Sequence, residues 1–143
     1  GCIDDTCLAT GELLPVKDTP FDFNKRKRIG QDLEADHIQL KNAFGYDHSF
    51  VLNGTENQLT LEEPVSGRRL IISTTAPVVQ VYTGNFLKDG CIGKAGRVYE
   101  NREGVALETQ LMPNAINTEE NPSTILRKGD KFESNTKYVF EIM

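Results

Sequence analysis

The chain has 143 residues, 38% of them hydrophobic, with a formal net charge of -5 and no long apolar run, which fits one soluble domain burying about two-thirds of its unfolded surface. A sequence pI of about 5.1 argues against nucleic acid or an anionic membrane as partner, because phosphate contacts need clustered Lys and Arg. Cys2, Cys7 and Cys91 are too few and too scattered for a disulfide scaffold and lack zinc-site spacing, so a reducing, cytoplasmic setting is expected. Pairing of Cys2 with Cys7, or reactivity of either in a loose N-terminus, stays open. Neither a signal-peptide pattern nor a stretch of membrane-spanning length is present, and an opening Gly in place of Met is compatible with a trimmed tag or a piece of something longer.

Residues 3–20 are polar and rich in turn formers, with Leu13-Leu14-Pro15-Val16 as a short edge strand and Thr19-Pro20-Phe21-Asp22-Phe23 extended before and after its proline. Lys25-Arg26-Lys27-Arg28 reads as a solvated loop, with localisation or anion binding as the minor alternative in so acidic a chain. The spacing of Leu33, His37 and Leu40 predicts a short helix over 30–40, with His37 at the surface because no second ligand stands at a metal-binding interval. From Phe44 to Leu52 aromatic and aliphatic residues bracket the Asp47-His48 pair, which predicts a strand carrying polar groups where it is half buried.

Gln58–Glu63 alternates, Pro64-Val65-Ser66-Gly67 turns and Arg69–Thr74 returns, the pattern of an antiparallel hairpin. Asn53-Gly54-Thr55 is a turn. Val78–Thr83 forms the next strand, with Gln80 and Tyr82 on one face, and a Gly-containing loop over 87–96 leads to Gly104–Asn114. In that stretch Ala106, Glu108 and Gln110 share one strand face while Val105, Leu107 and Thr109 share the other. Taken alone, Glu108 is an ordinary wet strand residue; an acid beside an amide is also a polar platform for a ligand, with Glu108 as base. A closing strand spans Lys137–Ile142. Short strands, frequent turns and little helix predict an all-β, antiparallel β-sandwich over residues 1–143 as a single unit.

Several motifs in one order then carry a resemblance. Gly45-Tyr46-Asp47-His48, Ser73-Thr74-Thr75-Ala76-Pro77, Gln80-Val81-Tyr82-Thr83-Gly84-Asn85-Phe86, Leu107-Glu108-Thr109-Gln110 and Asn121–Gly129 resemble the aldose 1-epimerases, or galactose mutarotases, along nearly the whole chain. The resemblance implies part of a mutarotase-type supersandwich that takes a free monosaccharide such as glucose or galactose and needs no cofactor or metal. It makes Glu108 the general base, and Asp47 and Gln80 the residues that hold sugar hydroxyls. Tyr82 or Phe86 would back the ring. In such a site the base takes the proton of the C1 hydroxyl while an acid protonates the ring oxygen; the ring opens, rotates about C1–C2 and recloses as the other anomer.

Departures from the family pattern also have consequences. Members are roughly twice this length, and their general-acid histidine lies in the half that would precede Gly1, whereas this chain has only His37 and His48, neither in the acid's motif. The chain therefore resembles a C-terminal half, expected to be inactive or weakly active alone and to associate with the missing N-terminal half or a second copy. Leu111-Met112 stands where the family usually has His-Phe, and Val78-Val79 stands where a glycine is common. The alternative from another class is a non-catalytic carbohydrate-binding or sugar-sensing β-sandwich.

Overall fold

A computed structural model describes residues 1–88, 92–118 and 124–143. The fold is all-β with two antiparallel three-stranded sheets. One has the order β1 (Asp47–Val51), β4 (Val78–Tyr82), β5 (Ala106–Gln110); the other has β2 (Leu59–Glu63), β3 (Arg68–Thr74), β6 (Thr136–Ile142). The chain divides into two compact units, Gly1–Ser49 with Gln80–Glu108, and Phe50–Val79 with Thr109–Met143.

In the first unit an aromatic cluster anchors the N-terminal segment. Tyr46 is wholly buried and donates its hydroxyl to the Pro20 carbonyl at 2.8 Å. Phe21 and Phe23 each meet its ring edge-on at 5.3 Å, and Phe21 also packs on His37 and His48. Burying each such ring is worth about 1.5–3 kcal/mol, which explains why Thr19–Phe23 is held without being a strand. Burial pushes the Tyr46 hydroxyl up to about 12, with Asp32 adding to the effect. Within the basic run, Lys27 is drawn in. It bonds Asp32 at 2.8 Å and lies over the Phe23 ring, 4.5 Å from its centre.

The helix expected over 30–40 is broken. A 3₁₀ turn occupies Ile29–Asp32, and α1 begins only at Ile38 and runs to Ala43. His37 is extended and its Nδ1 accepts the Gln39 N–H, so the residue expected on a helical face caps the helix instead. The other end closes when Phe44 turns left-handed and the Gly45 N–H returns to the Leu40 carbonyl. Leu13–Val16 is not a strand; Leu13 and Leu14 are exposed and Pro15 removes a donor.

In the second unit the hairpin forms as expected, with Leu59 opposite Ile72 and Glu63 opposite Arg68. Its turn is tied by the Glu63 carboxylate, which accepts the Val65 and Ser66 N–H groups at 2.9 and 2.6 Å. β6 pairs antiparallel with β3, Tyr138 opposite Ile72 and Phe140 opposite Leu70. Arg69 on one face links Glu62 and Glu141 across the three strands. On the other face of β6, Phe140 and Ile142 are 78% and 75% exposed. Val78, Met112 and Ala115 form a buried cluster.

Candidate functional site

The candidate site rests on β1 and β4. The Thr83 N–H donates to the Tyr46 carbonyl at 3.0 Å, and within the second unit the Leu52 N–H donates to the Pro77 carbonyl at 3.0 Å. In an antiparallel pair the Thr83–Tyr46 bond sets Ser49 opposite Gln80, and alternation puts Asp47 on the same face of β1 as Ser49.

On that face the side chains form a relay. Ser49 Oγ donates to Gln80 Oε1 at 2.5 Å, and Gln80 Nε2 donates to Asp47 Oδ1 at 2.7 Å. Asp47 and Gln80, expected to act together on one ligand, are brought into direct contact. The pair retains an acceptor, Asp47 Oδ2, and a donor, the second Nε2 hydrogen, which is the complement of a hydroxyl group.

The opposite face of β1 carries His48, which is 3% exposed and stacks edge-on against Phe21 at 4.7 Å. Its Nδ1 accepts the Asp47 N–H at 3.0 Å, so the neutral ring carries its proton on Nε2, an atom with no hydrogen-bond partner among the described residues. Burial drives its pKa down to about 4, helped by the Gly1 amino group and His37. A ring held neutral in this way is a support for the Asp47 backbone, not a proton donor at neutral pH.

The turn before Asp47 is clamped by two residues that follow Tyr82 in the chain. Thr83 and Asn85 are buried; Thr83 Oγ1 accepts the Tyr46 N–H at 3.1 Å and bonds Asn85 Oδ1 at 2.7 Å. Asn85 Nδ2 donates to the Ala43 and Tyr46 carbonyls at 2.8 and 3.1 Å. Three chain-distant backbone groups thus meet on two side chains, and the Thr-Gly-Asn run acts on the backbone of 43–46. Gly45 is required there. Its φ is +144°, and a Cβ would collide with the Asn85 side-chain oxygen and lie 3.1 Å from Thr83 Oγ1.

Tyr82 is half-buried at the end of β4, its hydroxyl accepting the Phe86 N–H at 3.0 Å. Phe86 and Phe44 are both exposed and meet edge-on at 5.7 Å, an aromatic surface near this end of the strand. Glu108 lies on β5, the strand beside β4, and is exposed. Its neighbour Thr109 bonds Thr136 at 2.8 Å, so alternation turns Glu108 to the other face. Val105, expected on an apolar face of this strand, precedes it and is exposed.

Ser49, Thr83 and Asn85 were not singled out individually by sequence reasoning. Ser49 had a usable signal, standing two residues from Asp47 in a strand, whereas the Thr83–Asn85 clamp depends on a contact about forty positions away in sequence. The Asn121-Pro122-Ser123 part of the last motif and Cys91 lie outside the described residues. Among the described residues no group of three or more His, Cys, Asp or Glu could hold a metal ion, and no helix is long and apolar enough to cross a membrane.

Comparison with known proteins matches the chain to one family. A family model described as aldose 1-epimerase matches residues 2–139. The galactose mutarotase of Homo sapiens is 38% identical over 143 residues, covering 98% of this chain and 40% of its own length. A solved GalM/aldose epimerase homologue from C. elegans is 31% identical with a TM-score of 0.85, over 98% of this chain and 42% of its own. A solved galactose 1-epimerase from Lactobacillus acidophilus is 30% identical with a TM-score of 0.74, over 98% and 40%. The chain therefore spans about 40% of the length of the curated relatives it matches.

Proposed function

The chain belongs to the aldose 1-epimerase family, and from that premise we propose that it supplies the base and part of the sugar site of a mutarotase acting on free aldoses such as glucose or galactose. The observation that carries this is the Asp47–Gln80 pair, an acceptor and a donor locked together on β1 and β4. Neutral hydroxyls are bound by such pairs, and Tyr82 with its Phe86 contact offers an apolar edge for the ring. Glu108, on the next strand and open to solvent, takes the proton of the C1 hydroxyl.

The general acid belongs to the remaining, N-terminal part of the protein. The exposed Phe140 and Ile142 side chains on β6 are the surface on which that part docks, with self-association of the isolated chain as the outcome when it is absent. A cytoplasmic setting belongs to the same proposal, supported by the free thiols of Cys2 and Cys7.

The test is polarimetry on fresh α-D-glucose and α-D-galactose. The complete protein speeds the rotation change, and Glu108→Gln removes about 10²–10⁴-fold of that rate while leaving sugar binding within a few-fold. The isolated chain stays near background. An unchanged rate in Glu108→Gln overturns the role of Glu108. A non-catalytic sugar-binding module, the second reading, is favoured by the exposure of Glu108 in this chain; it is selected if the complete protein binds sugar without accelerating mutarotation.

A further inference from the structure

We infer that Ser49 is a positioning residue for the sugar site, holding the Gln80 amide so that its NH₂ end serves Asp47 and the incoming hydroxyl. The inference rests on the proposal that Asp47 and Gln80 bind sugar hydroxyls. An amide side chain on a strand rotates freely about its last torsion and carries opposite hydrogen-bonding character at its two ends. Flipped, Gln80 would aim its carbonyl at the Asp47 carboxylate and lose its donor to both the acid and the ligand.

Two partners oppose that flip. Asp47 Oδ1 accepts from Nε2 at 2.7 Å, and Ser49 Oγ donates to Oε1 at 2.5 Å. Asp47 is shared with the ligand, so it cannot alone keep the amide in place while a hydroxyl competes for its oxygens. Ser49 is not shared. It is 6% exposed and lies directly across the antiparallel pair from Gln80, its hydroxyl engaged by the Gln80 amide oxygen. Its bond therefore persists on binding and spares the site the ordering of a rotamer-rich side chain, the general origin of preorganised affinity.

The alternative, that Ser49 merely fills a buried strand position, predicts a different pattern. Wild-type protein, Ser49→Ala and Ser49→Thr are each labelled with ¹⁵N and titrated with D-galactose and D-glucose, following the Gln80 side-chain NH₂ resonances, with thermal midpoints measured alongside. Ser49→Ala weakens sugar binding about three- to tenfold and averages the two Gln80 Nε2 protons. Ser49→Thr, which keeps the hydroxyl, restores both. Unchanged affinity and unchanged Gln80 resonances in Ser49→Ala, with the wild type binding sugar, overturn the role of Ser49 alone. A wild type whose Asp47 and Gln80 resonances ignore both sugars overturns the underlying proposal and this inference with it.

Discussion

Acid should destabilise this chain through His48. The ring is buried beside Phe21, and its Nδ1 accepts the Asp47 N–H. Protonation would bury a charge and convert that acceptor into a donor facing a donor. The unfolded chain, with an ordinary histidine near 6.5, takes up the proton first, while the folded chain resists until about pH 4. Stability is therefore complete above pH 6.5, falls as the pH drops through the window, and levels off below about 4. At about 1.4 kcal/mol per unit, the full loss is on the order of 3 kcal/mol, most of it spent between pH 7 and 4.5. Urea denaturation followed by far-UV circular dichroism at those two pH values measures it. His48→Phe keeps an apolar ring against Phe21 and should lose most of the difference, although its stability at pH 7 falls because the Asp47 N–H loses its acceptor. Equal pH slopes in wild type and variant would refute the assignment. Sugar binding by the folded chain should fail only as the pH approaches 4, where folded His48 takes up its proton and releases the backbone that carries Asp47.

Two further outcomes are expected. Gly45→Ala places a Cβ against Asn85 and Thr83 at a φ of +144°, so it should cost more than about 2 kcal/mol and weaken sugar binding, whereas Gly30→Ala, where a Cβ meets nothing within 4 Å, should be within about 0.5 kcal/mol of wild type; equal midpoints for the two variants would count against the clamp. Phe140→Asp on the exposed face of β6 should lower the self-association of the isolated chain by about tenfold or more in sedimentation equilibrium, and an unchanged weight-average mass would move the docking surface elsewhere.

Local pattern alone placed five of the six strands within a residue or two. The β2–β3 hairpin was legible because alternation, a Pro-to-Gly turn and a return strand agree at short range, and β6 because its apolar and charged residues alternate. Ordered motifs identified the family and nominated Asp47, Gln80, Tyr82 and Glu108, since their chemical types are readable without coordinates. Helix limits were not legible: the spacing of Leu33, His37 and Leu40 fits a helix, but His37 satisfies the Gln39 N–H from an extended backbone and is held by Phe21, a competition settled by tertiary packing.

What the amino-acid order by itself determined is the strand pattern, the family and the kinds of groups in the site. Tertiary structure alone decided how those groups are held. Asp47 and Gln80 are joined because antiparallel pairing of β1 with β4 sets residues 31 positions apart, Ser49 and Gln80, face to face. His48 is neutral because Phe21, far off in sequence, excludes water from it. Thr83 and Asn85 belong to the support of the site because they meet the backbone of 43–46 across a buried turn. Each is a long-range contact between groups whose local sequence carries no record of their partner, so only the folded chain expresses it.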